Sequence, residues 1–326
     1  MSLSPDVLVL REGTEGLATE PYVEALRERL PDREVRLART PEDERELAPE
    51  TPVITGVGID TDLLVEADAL RLFACAFAGT EHLPTEALAD RGVIVTNAGG
   101  IHAPGIAEQV LGYILTFVRR LQEGQRRKDR REWRHFQSAE LTGSTATILG
   151  LGSIGGAVVK RLQGFEVETI GARYTPEKGG PTDEIYGFDS TELHDALART
   201  DYLVLACPLT ETTRGLIGTA ELRTLPPSAA LVNVARGPIV DTDALLAALR
   251  SEGIRGAALD VTDPEPLPTD HPLWNLDNVL LTPHTGGHTP MHWPRLADIL
   301  ARNLTRLDDG ASATELENVV LAPGKE

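Results

Sequence analysis

Three residues that follow apolar runs or prolines have side chains suited to acid–base chemistry on a small carboxylic acid. Arg236 follows the run ALVNVA, Glu265 stands between two prolines, and His284 follows the run NVLLTP. Arginine offers a planar pair of N–H donors to a carboxylate, whereas histidine can release or take up a proton near neutral pH. A carboxylate beside the histidine would fix its tautomer and stabilise its charged form. Each residue alone is more often structural, but the three together predict a catalytic site.

A glycine-rich segment upstream has the spacing of a dinucleotide-binding turn. It forms G-x-G-x-x-G between a predicted strand, Thr145–Leu149, and a predicted helix, Ser153–Leu162. The first glycine permits a tight turn, the second lets pyrophosphate approach the backbone, and the third lets the helix pack on the strand. Such glycines also occur in ordinary turns, but the strand–turn–helix context favours dinucleotide binding, with phosphates held at the helix N-terminus. The cofactor-binding residues predicted here are Gly150, Gly152, Ser153, Ile154 and Gly155.

The end of the next predicted strand bears on which dinucleotide is bound. In NAD-binding sheets an acidic residue about 20 positions after the first glycine hydrogen-bonds the adenine ribose. Here position 173, 23 residues after Gly150, is arginine. A guanidinium suits the 2′-phosphate of NADP through charge-assisted contacts, so Arg173 favours NADP(H). NAD(H) is the alternative, with Arg173 stacked on the adenine or pointing to solvent.

Short apolar runs alternate with helical patterns along almost the whole chain, which predicts an α/β fold with mainly parallel sheets. Before residue 100 the predicted strands are Val7–Leu10, Glu34–Leu37, Val53–Thr55, Leu72–Ala76 and Val93–Thr96. After residue 144 they are Thr145–Leu149, Glu166–Ile170, Tyr202–Ala206, Ala230–Val234, Gly256–Asp260 and Val279–Thr282. A glycine-rich turn that opens such a series is typical of a doubly wound dinucleotide-binding sheet.

The helical patterns include one unusually long segment, from about Ala107 to Arg131, whose second half is strongly basic. That basic half is interpreted as a linker helix whose arginines meet acidic surface, in this subunit or a second one, in preference to an anion site. The other clear helical patterns are Tyr22–Leu30, Thr85–Asp90, Ser153–Leu162, Thr242–Leu249 and Met291–Leu307.

The charge of the 326-residue chain excludes several kinds of partner. It has 50 acidic and 31 basic residues, of which only four are lysine, and a net charge of −19. Such a surface repels nucleic acid and anionic membranes. No apolar run approaches the roughly 20 residues that span a bilayer, and the start of the chain lacks the pattern of a secretory signal, so a cytoplasmic protein is expected.

The same acidity favours a halophilic protein. Salt at 1 M shortens the Debye length to about 3 Å and screens self-repulsion between surface carboxylates. An acidic enzyme that works at ordinary salt is the alternative.

The cysteine and histidine patterns argue against a metal site. Cys75 and Cys207 each lie in an apolar run and are interpreted as buried thiols. His288 and His292 stand four residues apart, but a third ligand and the glutamate of H-E-x-x-H are missing. No metal is predicted.

Over essentially its full length the chain resembles the D-isomer-specific 2-hydroxyacid dehydrogenases. The matching segments, in the order of that family, are GLGSIG, CPLTETTRGLI, NVARGPIVD, ALDVTDPEPLP and TPHTGG. The resemblance implies a Rossmann-like doubly wound parallel sheet, residues 100–290, inserted into a flavodoxin-like substrate domain, residues 1–99 and 291–326. It also implies a homodimer, and hydride transfer between NAD(P)H and a small 2-keto or D-2-hydroxy acid.

The resemblance also implies roles for individual residues. Arg236 would bind the substrate carboxylate and carbonyl, His284 would be the acid/base, and Glu265 would be the carboxylate behind it. Asp260 would contact the nicotinamide carboxamide. Backbone N–H groups around Ala78 and Gly79 would hold the substrate carboxylate. Outside the glycine turn, the implied cofactor-binding residues are Arg173, Pro208, Thr213, Ala235, Asp260 and His284.

The alternative function is a non-catalytic, NAD(H)-sensing interaction protein on the same fold. Such a protein would not need the complete Arg–Glu–His set, so the presence of Arg236, Glu265 and His284 favours an enzyme. A formate-type dehydrogenase would carry an amide in place of Glu265. The sequence leaves open which keto acid is used, since pyruvate, glyoxylate, hydroxypyruvate and branched 2-keto acids share the carboxylate and carbonyl.

Overall fold

The computed structural model describes residues 5–14 and 16–323, which form two compact units. The split unit contains the chain up to residue 101 and again from residue 288, and the inserted unit contains residues 102–287. Each unit has one mainly parallel sheet. Since the chain leaves the first sheet, builds the second and returns, the predicted α/β fold with an inserted Rossmann-like sheet is confirmed.

The described residues form strands and helices with the following bounds. The strands are β1 Val7–Val9, β2 Val35–Leu37, β3 Val53–Gly56, β4 Leu72–Cys75, β5 Ile94–Thr96, β6 Thr145–Leu149, β7 Glu168–Ala172, β8 Glu184–Tyr186, β9 Tyr202–Leu205, β10 Ala230–Asn233, β11 Gly256–Leu259, β12 Val279–Leu281 and β13 Val319–Leu321. The α-helices are α1 Glu20–Arg29, α2 Pro41–Leu47, α3 Thr61–Glu66, α4 Thr85–Asp90, α5 Ala103–Arg119, α6 Leu121–Asp129, α7 Ser153–Gln163, α8 Ser190–Leu197, α9 Thr219–Thr224, α10 Thr242–Arg250 and α11 His292–Asp308.

The sheet of the split unit has the order β2-β1-β3-β4-β5-β13. Its first five strands are parallel and follow the flavodoxin-like order, and β13 is antiparallel to β5. Helices α1 and α11 pack together on one face of this unit, where Tyr22 stacks on Trp293 with ring centroids 4.9 Å apart. The return of the chain therefore completes both the sheet and the core of the split unit.

The sheet of the inserted unit is parallel throughout, with the order β8-β7-β6-β9-β10-β11-β12. Six of these strands give the order 3-2-1-4-5-6 of dinucleotide-binding sheets, and β12 extends it by one. Strands β9, β10 and β11 are buried at every residue, as expected where helices cover both faces. The strand order reverses between β6 and β9, so a crevice is expected at their carboxyl ends.

The prediction of eleven strands was incomplete. It missed β8 and β13, which lie at sheet edges. All residues of β8 are only partly buried, and β13 has an exposed residue between two partly buried ones, so neither strand contains a fully buried residue. It also placed β7 at Glu166–Ile170, two residues early. Glu166 has a left-handed backbone, with φ of 57°, and belongs to the turn before the strand.

The prediction of one long helix from Ala107 to Arg131 was wrong. Arg120 has a left-handed backbone, with φ of 51°, and separates α5 from α6. Helix α5 buries an apolar face, whereas no residue of α6 is buried. The break is not visible in the sequence, because no glycine or proline stands at the junction.

Four arginines in and just after the basic segment pair with carboxylates of the same unit. Arg127 lies 2.5 Å from Glu123, and Arg126 lies 3.7 Å from Asp277. Glu132 accepts from both Arg130 and Arg134. These contacts agree with the interpretation that the basic run meets acidic surface.

The two cysteines are not joined in a disulfide. Cys75 and Cys207 are free and buried, and burial raises the pKa of the Cys207 thiol to about 11, so it stays protonated.

Within residues 5–14 and 16–323, no helix combines the length and apolar character needed to cross a bilayer.

Candidate active site

The glycine turn joins β6 to α7 and depends on glycine at two of its positions. Gly150 has φ of 98°, and a Cβ there would lie 2.6 Å from the backbone of Cys207. A Cβ on Gly155 would lie 2.0 Å from the carbonyl oxygen of Gly150. The first glycine therefore makes the turn, and the third brings α7 against β6.

The second glycine leaves space where phosphates could sit. Gly152 is exposed, and a Cβ there would meet nothing within 4 Å. The next residues, Ser153 and Ile154, begin α7, and the first N–H groups of a helix have no partner within the helix. Because this helix end lies at the carboxyl end of β6, where the crevice is expected, the turn has both the room and the donors for a dinucleotide pyrophosphate.

Arg173 directly follows β7, the neighbour of β6, because that strand ends at Ala172. Its guanidinium Nη1 donates a 2.6 Å hydrogen bond to the carbonyl of Gly179. This bond fixes the side chain at the carboxyl end of the strand that normally contacts the adenine ribose. Its contact with a 2′-phosphate stays a prediction.

Three further predicted cofactor-binding residues, Pro208, Thr213 and Ala235, lie on the loops after β9 and β10. Thr213 is buried, and its Oγ1 donates to the carbonyl of Pro208 at 2.7 Å, so this hydroxyl stabilises the loop itself. Ala235 is also buried, and its N–H donates to Asn233 Oδ1 at 3.0 Å. Their contacts with a cofactor stay predictions.

The three residues proposed for chemistry follow three neighbouring strands. Arg236 follows β10, Glu265 lies in the loop after β11, and His284 follows β12. The first two loops touch, because a Cβ on Gly237 would lie only 2.0 Å from the carbonyl oxygen of Thr262. The parallel sheet thus brings these loops to one edge.

His284 and Glu265 form the central contact of the site. The imidazole Nδ1 lies 2.7 Å from Glu265 Oε1, with the side chains 49% and 40% exposed. Because Nδ1 is engaged, Nε2 is the nitrogen left to meet a substrate. The pair has the geometry of an acid/base histidine held by a carboxylate.

Arg236 has an exposed side chain beside this pair of loops. Its Nη1 donates to the carbonyl of Ala235 at 2.7 Å. Within the described residues it forms neither a hydrogen bond nor an ion pair with Glu265 or His284. Most of its N–H donors therefore remain available for an anion.

A pocket of about 320 Å³ opens beside the pair. Trp274 is held by a 2.8 Å hydrogen bond from its Nε1 to the carbonyl of Pro268 and forms one wall. Glu265 and His284 line the same pocket, so a small molecule can reach both. Its apolar lining consists of Pro266, Leu267, Trp274, Leu281 and Pro283.

Asp260 is only 4% exposed and accepts several hydrogen bonds from the protein. Its Oδ1 accepts from Thr282 Oγ1 at 2.5 Å and from Gln109 Nε2 at 3.0 Å. The N–H of Thr285 donates to Oδ1 at 3.0 Å, and that of Gly286 donates to Oδ2 at 2.9 Å. The carboxylate therefore ties α5 to the loop that carries His284, while its predicted contact with a nicotinamide carboxamide stays untested.

Sequence reasoning missed Gln109, Tyr113 and Thr282, which form this cluster with Asp260. Gln109 and Tyr113 are one helical turn apart on α5, so their polar groups face the same side of a mainly apolar helix. That spacing was the available signal. Thr282 follows β12 as an ordinary polar residue at a strand end.

In the split unit, Ala78 and Gly79 lie in the exposed loop after β4. The side chain of Asn97, directly after β5, donates to the carbonyl of Ala78 at 2.5 Å. Asn318 in turn donates to the carbonyls of Asn97 and Gly99, at 3.2 and 2.8 Å. Because a peptide group is planar, holding the Ala78 carbonyl also fixes the direction of the Gly79 N–H. The sequence analysis did not identify Asn97 or Asn318.

No group of three or more His, Cys, Asp or Glu side chains suited to a metal ion occurs in residues 5–14 and 16–323. The absence of a bound metal stays a prediction.

Comparison with known proteins identifies the family. The family model for the D-isomer specific 2-hydroxyacid dehydrogenase, NAD binding domain, matches residues 111–286. The chain belongs to the D-isomer specific 2-hydroxyacid dehydrogenases. A glyoxylate reductase of Thermofilum pendens is 35% identical over 267 residues, 80% of this chain and 78% of that protein. A D-3-phosphoglycerate dehydrogenase of Methanocaldococcus jannaschii is 35% identical over 274 residues, 83% of this chain but 51% of that protein.

A solved member of the 2-hydroxyacid dehydrogenases has the same fold. The enzyme from Xanthobacter autotrophicus Py2, in complex with NADPH and MES, superposes with a TM-score of 0.77 at 29% identity, covering 97% of this chain and 98% of that one. The predicted family is confirmed. This 2-hydroxyacid dehydrogenase is accordingly an oxidoreductase with a dinucleotide-binding Rossmann domain.

Proposed function

We propose that this 2-hydroxyacid dehydrogenase transfers a hydride between NAD(P)H and C2 of a small 2-keto or D-2-hydroxy acid, with His284 as acid/base. The observation that carries the proposal is the 2.7 Å contact between His284 Nδ1 and Glu265 Oε1 at the carboxyl edge of the dinucleotide-binding sheet. A histidine that lines a pocket and has one nitrogen held by a carboxylate is suited to proton transfer.

When bound, the nicotinamide supplies the hydride that C2 of the keto acid accepts during reduction. Protonated His284 donates its Nε2 proton to the C2 oxygen, which becomes the hydroxyl. The imidazole is left neutral and keeps its Nδ1 proton, which it donates as a hydrogen bond to Glu265. Before the transfer, the Glu265 carboxylate stabilises the charged imidazolium. In the reverse direction, Nε2 takes the hydroxyl proton.

Arg236 binds the substrate carboxylate and polarises the C2 oxygen next to it. Its exposed guanidinium presents paired N–H donors, and among the described residues the Ala235 carbonyl engages one of them. A charged, planar donor pair both anchors the acid and stabilises negative charge that develops on the oxygen during hydride addition.

NADP(H) is the favoured cofactor, and NAD(H) is the alternative. Support comes from Arg173, which stands immediately after β7. An enzyme that selects NAD(H) would have an acidic residue at this point. A guanidinium at this point attracts a 2′-phosphate and offers no acceptor to a ribose hydroxyl.

The proposed substrate is a short 2-keto acid. Several relatives of 33–35% identity are named glyoxylate reductases, which supports a small acid with the carboxylate directly beside the carbonyl. Glyoxylate, pyruvate, hydroxypyruvate and a branched 2-keto acid form the appropriate test panel.

A homodimer and a cytoplasmic location stay predictions. Trp133 and Leu121 of the inserted unit are 98% and 55% exposed, and apolar side chains of this size in a basic segment suit an interface with acidic surface of a second copy. Light scattering during gel filtration measures the mass and tests the dimer.

The experiment for the proposed reaction is a cofactor-oxidation assay of the purified protein with each acid of the panel, using NADPH and NADH in turn. We expect oxidation of the cofactor with at least one acid. Chiral chromatography should show the D-2-hydroxy product from pyruvate, hydroxypyruvate or the branched acid, whereas glycolate, the product from glyoxylate, is achiral. Cofactor binding without turnover of any acid would contradict the proposal and favour the NAD(H)-sensing alternative.

A further inference from the structure

A directional chain of hydrogen bonds runs from α5 to the loop that carries His284. Gln109 Nε2 donates to the Tyr113 hydroxyl at 2.6 Å. Tyr113 donates to Thr282 Oγ1, because the only hydroxyl hydrogen of Thr282 is committed to Asp260 Oδ1 at 2.5 Å. Burial raises the pKa of Tyr113, so its hydroxyl keeps the proton that it donates. Each donor in the chain orients the next one.

Asp260, the last member of the chain, holds three consecutive N–H groups. The N–H of His284 donates to the Asp260 carbonyl at 2.8 Å. Those of Thr285 and Gly286 donate to the carboxylate at 3.0 and 2.9 Å. A single buried residue therefore fixes the backbone on both sides of the His284 Cα.

The backbone of His284 needs this support. Its φ of 51° lies in the left-handed region, which residues with a Cβ rarely adopt unless surrounding contacts impose it. The direction of the imidazole depends on this backbone angle. If the loop relaxed to negative φ, Nε2 would turn away from the position in which Glu265 now holds it.

The polar character of the cluster is unusual for its place in the helix. Helix α5 buries Ala107, Val110 and Ile114 around Gln109 and Tyr113, and an apolar side chain would pack there without needing a partner. Polar groups in such surroundings are costly unless they are hydrogen-bonded. Their mutual hydrogen bonds and their link to Asp260 indicate a role beyond packing.

We propose that Gln109, Tyr113 and Thr282 are positioning residues that act through Asp260 to hold His284 in its reactive orientation. The proposal rests on the proposed acid/base role of His284. It makes Asp260 a support of the catalytic loop, whether or not its carboxylate also contacts the cofactor.

The first test compares Thr282→Val with Thr282→Ser. Valine has the shape of threonine but no hydroxyl, whereas serine keeps the donor to Asp260. Loss of a hydrogen bond to a charged group corresponds to about a 10- to 100-fold fall in kcat for Thr282→Val, with the Kd for NADPH unchanged. We expect Thr282→Ser to restore most of the rate. Equal kcat in both variants and the wild type would overturn the proposal.

Thr200→Val is the matched control. Thr200 is a fully buried threonine of the same unit, and its hydroxyl is bonded to Thr147 and to the carbonyl of Ala196. It lies before β9, at the sheet edge opposite the loop of His284. We expect the Thr200→Val substitution to lower the Tm without lowering kcat. A fall in kcat as large as that of Thr282→Val would attribute both effects to stability and overturn the proposal.

Tyr113→Phe and a double-mutant cycle provide the second test. Tyr113→Phe removes one hydroxyl from the chain and keeps the ring, so it remains informative if Thr282→Val does not fold. In single-turnover assays, either substitution should lower the rate in the wild type but have little further effect in His284→Ala, because no imidazole is left to orient. An undiminished effect in His284→Ala would overturn the positioning role. Full turnover by His284→Ala itself would instead overturn the proposed function.

Discussion

At the scale of single residues, the proposed chemistry is divided between a histidine that moves the proton and neighbours that fix its state. Glu265 occupies Nδ1 of His284 at 2.7 Å, and Asp260 holds the backbone beneath it. Arg236 stands on the next loop with its guanidinium mostly unengaged. This division explains why polar residues accumulate at the ends of β10, β11 and β12, since each strand contributes a different part of the site.

Arg173 gives a prediction about cofactor selection. Arg173→Asp removes the guanidinium and places a carboxylate near the proposed 2′-phosphate, so the KM for NADPH should rise by about 10- to 100-fold. The KM for NADH should change much less. Steady-state assays with both cofactors measure the ratio, and Arg302→Asp in the split unit is the charge-matched control. A clear NADH preference in the wild type that survives Arg173→Asp would refute the assignment.

Asn97 gives a prediction about substrate affinity. Asn97→Ala releases the carbonyl of Ala78, so the proposed Gly79 donor should lose its fixed direction and the KM for the keto acid should rise by about 2- to 10-fold. The Kd for NADPH should not change. Asn303→Ala is the control, because Asn303 is likewise an asparagine of the split unit whose side chain is hydrogen-bonded to the backbone, at Glu317 before β13. Equal effects of the two substitutions on KM would contradict the role of Asn97.

The sequence was informative about residues that combine reactive chemistry with a strand end. Arg236, Glu265 and His284 meet both criteria, and the structure brings Glu265 and His284 into contact. Asn97 and Thr282 could not be singled out, and Gln109 only through its helical spacing to Tyr113, because amides and hydroxyls occur throughout a chain and their partners lie far away in sequence. The Gln109–Asp260 bond, for example, spans 151 positions.

At the scale of elements, the glycine turn shows why neighbouring glycines are not equivalent. Gly155 and Gly156 both lie in α7, but a Cβ on Gly155 would lie 2.0 Å from the Gly150 carbonyl, whereas one on Gly156 would meet nothing within 4 Å. We expect Gly155→Ala to force α7 away from β6, to destabilise the protein by about 1–3 kcal/mol and to weaken NADPH binding.

Gly156→Ala is the matched control for that prediction. It adds a good helix former in open space and should stabilise the protein by up to about 1 kcal/mol. Thermal unfolding and titration of cofactor fluorescence measure both variants. Tolerance of alanine at position 155 with unchanged NADPH affinity would show that close packing of α7 on β6 is not needed for the cofactor.

Buried elements were predictable from the sequence and edge elements were not. Strands β9, β10 and β11 are buried at every residue and stand out as apolar runs. By contrast, β8 and β13 need only half-buried residues, because each pairs with one neighbour. The junction between α5 and α6 was missed for a related reason, since the left-handed backbone of Arg120 leaves no mark in composition.

At the scale of the whole molecule, the net charge of −19 gives a prediction about salt. Lowering salt from 1 M to 0.01 M lengthens the Debye length from about 3 Å to about 30 Å, so repulsion between surface carboxylates then reaches across much of the surface. We expect activity and Tm to fall on dialysis into low salt and to recover when salt is restored. Full activity and an unchanged Tm at low salt would remove the halophilic hypothesis.

The family could be recognised from the whole chain because several independent segments occur in order. The glycine turn alone is ambiguous, and so is a single strand-end arginine or histidine. The glycine turn and the segments NVARGPIVD, ALDVTDPEPLP and TPHTGG, found in this order, are specific for the family. The family match over residues 111–286 agrees. The identity of the acid could not be predicted, because it depends on pocket shape more than on motif residues.

The most direct test of the account is turnover by His284→Ala with cofactor binding measured in the same preparation. General acid–base catalysis contributes about 10²- to 10⁴-fold, so kcat for keto-acid reduction should fall by that factor. The Kd for NADPH should change far less than kcat, because the glycine turn that would hold the pyrophosphate is untouched and only the cofactor contact implied for His284 is lost. Near wild-type turnover by His284→Ala would contradict the central claim that this imidazole moves the proton.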